Sequence, residues 1–247
     1  MTVYATNPQL AGTSFGAVEV DDVSPRVLSN NRAWVDPAIA TTTPGAGFHY
    51  GTTDSKFDDV MAFYHYTNFR YYLAGFNTFN YWTGPKIKIK TGSSGTGVNG
   101  AATQMDFGMD ALTGNSHAHE AAIIAHEAMH IVQMHFTGDG TWVNSNLLFS
   151  EKRALSESIA DFMAVKYRID KQGASSSKTA LGMHASFGGT PGSSNYLLRD
   201  VDNTVQYSAP IVDEDDNSAA NQYDVGLAYS GSLWDFQESA FGAMWLL

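Results

Sequence analysis

His126-Glu127-Ala128-Met129-His130 is the stretch from which the rest of this chain can be read. At 3.6 residues per turn, His126 and His130 fall on one helix face, one turn apart, where two imidazoles can converge on a single zinc ion. Glu127 beside them points toward a water on that ion. The flanks suit a helix: Ile123, Ile124, Ala128, Ile131 and Val132 give it a buried surface, and no proline interrupts them. A helix is therefore predicted from about His119 to His135, ended by Gly138-Asp139-Gly140.

A hydrolytic zinc site keeps three protein ligands and one open position. The segment Leu155-Ser156-Glu157-Ser158-Ile159-Ala160-Asp161-Phe162 offers what the histidine pair lacks. Glu157 is the candidate third ligand. Asp161, four residues on and on the same face, can accept the second ring N–H of a ligand histidine and so fix its tautomer. Both lie on a second predicted helix, about Glu151 to Tyr167, with Leu155, Ile159, Phe162 and Val165 on its core side. Two other ligand candidates stand beside Glu157. Glu151 sits at a helix start, where a carboxylate has a structural reason to be. His119 falls two turns before His126.

Composition narrows the field. The chain has 14 Lys and Arg against 25 Asp and Glu, a net charge of −11, so it lacks the basic surface that nucleic acid would need. There is no cysteine and hence no disulfide framework. No apolar run approaches the roughly 18 residues of a membrane span. At 247 residues the chain can form one large domain or two lobes around a cleft. Met1-Thr2-Val3-Tyr4 has neither the basic start nor the apolar core of a signal peptide. A secreted chain whose leader and pro-segment had been removed would have such a start.

Elsewhere the pattern is coarser. Residues 1–53, broken by Pro8, Pro25, Pro37 and Pro44, read as short strands and loops. From Asp54, which can cap a helix, Phe57, Val60, Met61, Tyr64, Asn68, Tyr72 and Phe76 recur at three- and four-residue steps and predict a long helix. Lys86-Ile87-Lys88-Ile89-Lys90 alternates as a half-exposed strand, and Gln104-Met105-Asp106-Phe107 reads as another. Residues 173–221 read mostly as loop, and a last helix is predicted to begin after Ser230-Gly231.

The two motifs together, His126-Glu127-xx-His130 and Ser156-Glu157-xxx-Asp161, resemble the gluzincin zinc metallopeptidases, in particular their thermolysin-like and fungalysin-like branch. Support comes from Phe57-Asp58-Asp59-Val60-Met61-Ala62-Phe63-Tyr64-His65, similar to the long helix of that branch's N-terminal lobe, and from Gln104-Met105-Asp106-Phe107-Gly108. Tyr229-Ser230-Gly231-Ser232-Leu233-Trp234-Asp235 resembles a Trp-Ser-Gly-Ala-Leu-Trp-Asp stretch of the fungalysin side. The resemblance implies a two-lobed α+β fold. Residues 1–137 would form an N-terminal mixed-sheet lobe ending in the motif helix, and 138–247 a mainly helical lobe carrying Glu157. It implies a secreted, monomeric zinc endopeptidase acting on peptide or protein substrates. Zn²⁺ would be held by His126, His130 and Glu157, Glu127 would act as general base, and Asp161 would stand behind a ligand histidine. An extended peptide would pair along an edge strand near Gly97 to Gln104.

The chain departs from the family pattern at several points. Ser156 replaces the usual asparagine, and no histidine follows His184 to donate to the oxyanion. Tyr223 or Tyr229 can supply that hydrogen bond from a phenol. Relatives often bind Ca²⁺, and Asp213-Glu214-Asp215-Asp216 is the candidate site for it. The alternative reading is a zincin-fold domain that has lost turnover and serves as a peptide- or protein-binding module.

Overall fold

The computed structural model describes residues 2–4, 15–17, 27–39, 47–76, 84–110, 114–138, 151–172, 180–181, 199–203 and 219–242. The fold is α+β. Strands β1 (Thr2–Tyr4) and β2 (Phe15–Ala17) pair antiparallel. A four-stranded mixed sheet holds β3 (Ala33–Val35), β4 (Ile87–Ser93), β5 (Gly97–Val98) and β6 (Gln104–Gly108) in the order β3-β4-β6-β5. Its first three strands run parallel, and β5 closes one edge antiparallel to β6, pairing Gly97 with Asp106 and Val98 with Met105. An edge strand thus lies at the start of the stretch where the family resemblance implies one. In β4 the alternation holds: Ile87 and Ile89 are buried, while Lys88 and Lys90 face outward.

Helix α1 (Ser55–Ala74) begins as expected, with the Asp54 carboxylate accepting from the Lys56 N–H at 2.9 Å. More of it is buried than one amphipathic stripe would bury. Phe63, Tyr66 and Phe69 are enclosed along with Phe57 and Met61, whereas Phe76 is exposed. The reason is that α1 has neighbours on several sides. Tyr167 stacks edge-on against Phe69, and the Tyr72 hydroxyl donates to Asp170 at 2.9 Å, both partners lying on a later helix.

Helix α2 (Ala121–Thr137) carries the motif and follows a separate 3-10 turn at His117–His119. His119 is therefore not on the motif helix. Every residue from Ala121 to Met134 is buried, so α2 is a core helix rather than an amphipathic surface one. It ends at Gly138, whose φ of 62° is the left-handed cap conformation that glycine adopts without strain. Helix α3 (Glu151–Gln172) starts where predicted and runs one turn further. Strands β7 (Ala180–Leu181) and β8 (Arg199–Asp200) form a short antiparallel pair.

Helix α4 (Ala219–Gly242) corrects the sequence reading, which began it after Gly231. Glycines 226 and 231 are internal and used for close approach. A Cβ on Gly226 would lie 3.2 Å from the Ala154 carbonyl and 3.4 Å from Ser158 Oγ, and one on Gly231 would lie 3.1 Å from the Asn203 carbonyl. Ser158 Oγ sits between the carbonyls of Ala154 (2.5 Å) and Gly226 (2.8 Å), tying α4 to α3 beside Glu157. Gly226→Ala should be near balance, because helix propensity returns about 1 kcal/mol against the tight contact. Gly226→Val should cost about 1–3 kcal/mol by overpacking. Urea denaturation would show this, and an unchanged midpoint for the valine variant would mean the two helices can part freely.

Candidate metal centre

Helix α2 presents His126 and His130 from one face, with their rings edge-on at 4.6 Å between centroids. The two Nε2 atoms face each other at 3.0 Å. Glu157, brought in by α3, places Oε2 3.3 Å from His126 Nε2 and Oε1 3.6 Å from His130 Nε2. All three residues are buried and could hold a metal ion together. Ligands about 2.0–2.2 Å from a tetrahedral zinc lie roughly 3.3–3.5 Å from one another. The observed separations bracket that spacing.

Hydrogen bonding around the cluster agrees. Asp161 Oδ1 lies 2.7 Å from His126 Nδ1, an ion pair by distance, although the ring N–H does not point squarely at the oxygen. His130 Nδ1 lies 3.0 Å from Gln133 Oε1 and 3.2 Å from Ser156 Oγ. Acceptors behind both rings keep the protons on Nδ1, so each Nε2 turns a lone pair inward. Two lone pairs and a carboxylate converging in a buried space repel one another unless a cation sits among them. This donor set, two imidazole nitrogens and one carboxylate, fits zinc.

Electrostatics point the same way. Burial works to lower the basicity of His126, yet Asp161 and then Glu157 overcome it and raise its pKa to about 10, so the inward Nε2 lone pair is taken by a proton wherever a metal cation does not take it. Burial would lift the Glu157 carboxyl, but the flanking imidazoles of His130 and His126 hold it well below its ordinary value. The His126 shift reports the negative charge of Asp161 and Glu157 around that ring, and the Glu157 shift keeps its carboxylate ionised and able to act as a ligand.

The structure thus brings His126, His130, Glu157 and Asp161 into one cluster. Glu127 is buried on α2, next in sequence to His126. His119 lies elsewhere, with Nε2 2.5 Å from Asp58 Oδ1 and its ring against Phe57. Tyr229 is half-buried on α4, three residues beyond Gly226. Tyr223 also falls on α4, but its side chain is outside the described residues, as are the side chain of Glu151 and the acidic run 213–216. Gln133 and the contact role of Ser156 escaped the sequence reading. The available signal was a lone amide one turn after His130 in an apolar helix.

The helices and small mixed sheet match the fold of a thermolysin-like metalloprotease. No family model matches the chain, and no curated protein matches it. Among solved structures it is similar to the precursor of protealysin, a metalloproteinase from Serratia proteamaculans. The TM-score is 0.50 at 13% sequence identity, covering 91% of this chain and 75% of that one. Among the described residues, no helix is long and apolar enough to cross a membrane.

Proposed function

We propose that the chain is a zinc-dependent endopeptidase of the gluzincin type. The observation that carries this reading is the convergence of His126 Nε2, His130 Nε2 and the Glu157 carboxylate, with acceptors fixed behind both rings. His126, His130 and Glu157 would hold the ion, and Asp161 would orient His126. Zinc bound there would supply Lewis acidity, lowering the pKa of water and polarising a scissile carbonyl. Glu127 accepts the proton of the attacking water and passes it to the leaving amine. The phenol of Tyr223 or Tyr229 donates to the developing oxyanion. Replacing the working tyrosine by phenylalanine should lower kcat about 10²-fold with metal content unchanged, while the other replacement should leave kcat alone.

The outer edge of β5 offers backbone groups to an extended peptide, which would add to the sheet as a strand. The proposal includes a division into lobes at 1–137 and 138–247, and an extracellular setting. It is tested by metal analysis of the purified protein with cleavage of a quenched peptide or casein, with and without a zinc chelator. Metal uptake with no cleavage would favour the binding-module reading, which the absence of any histidine after His184 motivates. Glu127 weighs against that reading, because a purely structural site has no use for a base.

A further inference from the structure

Gln133 lies one turn after His130 on α2 and is buried within an otherwise apolar run. Its amide is held at both ends. Nε2 donates to the Ser156 carbonyl at 2.9 Å, and Oε1 accepts from Ser156 Oγ at 2.6 Å. An amide whose nitrogen is committed to a carbonyl cannot turn over, so Oε1 stays where it is, 3.0 Å from His130 Nδ1. That oxygen holds the Nδ1–H tautomer of His130 and leaves its Nε2 lone pair facing His126 and Glu157. The same two hydrogen bonds cross from α2 to α3 at the residue immediately before Glu157. Ser156 brings only a hydroxyl to the ring, 3.2 Å from Nδ1 and donating its proton to Gln133 Oε1, and Gln133 supplies the amide from the ring's own helix.

We propose that Gln133 is a positioning residue for the metal centre, fixing the tautomer of His130 and setting the α2–α3 separation at Glu157. The inference rests on the reading that the cluster holds a divalent cation. The gain from such a residue falls on metal affinity, and loss of an outer hydrogen-bond partner typically weakens it by about 10–100-fold.

The test uses the full chain and zinc alone, titrated against a chromophoric chelator. Gln133→Ala should weaken zinc binding by about 10–100-fold with helix content retained. Gln133→Met, which keeps the volume without the amide, should do the same and stands in if the alanine variant does not fold. Adding Ser156→Asn to Gln133→Ala returns an amide beside His130 from the other helix and should restore affinity to within about threefold of the parent. Gln133 variants that bind zinc as tightly as the parent would overturn the proposal. A double variant no tighter than Gln133→Ala would also overturn it, because the loss would then be one of packing. A parental chain that takes up no zinc would instead remove the metal reading on which all of this stands.

Discussion

Glu127→Gln is expected to keep its metal and to hydrolyse peptides about 10²–10⁴-fold more slowly. Glutamine has nearly the shape of glutamate, so α2 and its buried neighbours need not move. None of the atoms that converge at 3.0–3.6 Å belongs to residue 127, so the groups proposed to hold the cation are untouched. What disappears is a carboxylate able to take a proton and return it, which an amide cannot do at neutral pH. Metal content should therefore match the parent while kcat collapses. A variant cleaving casein at the parental rate would remove Glu127 from the mechanism, whatever the metal content.

Arg168→Met should cost about 3–5 kcal/mol of folding free energy. Arg168 lies on α3 with its side chain wholly buried. Burial lowers its pKa, and the negative charges of Glu120 and Asp200 partly restore it. Glu120 is the residue that precedes α2, also wholly buried, and makes no side-chain cap to that helix. Removing the guanidinium would take away a positive charge coupled to the buried Glu120 carboxylate at the entry to the motif helix. Glu120→Gln alone should also destabilise, whereas the double variant should recover part of the loss, the signature of a coupled pair. Denaturant midpoints of the four proteins check this. Additive losses would show that the two charges do not sense each other.

The parts of the fold that could be read from sequence were those set by neighbours in the chain. The Asp54 cap, the Lys and Ile alternation of β4 and the one-turn spacing of His126 and His130 each rest on a few consecutive residues, and each stands in the structure. Glu157 and Asp161 were legible because both fall on one helix with a spacing that suits a single partner, His126. What failed was tertiary. Gly226 and Gly231 look like breaks until the carbonyls of Ala154 and Asn203 are brought against them. Gln133 is an unremarked amide until Ser156 arrives from α3, and Glu120 is an ordinary polar start until its charge is coupled to that of Arg168. In each case the residue's meaning lies on an element far away in the chain.

Because its inward-facing groups come from two separate helices, a cation bound by the cluster would link ion concentration to folding. Any cation that occupies it only when α2 and α3 are docked adds RT ln(1 + [L]/Kd) to the free energy of unfolding, about 2.7 kcal/mol at a hundredfold excess over Kd. The thermal midpoint of this protein then becomes a property of its solution as much as of its sequence. Removing such a cation would withdraw that contribution from the α2–α3 junction, which His126, His130 and Glu157 bridge.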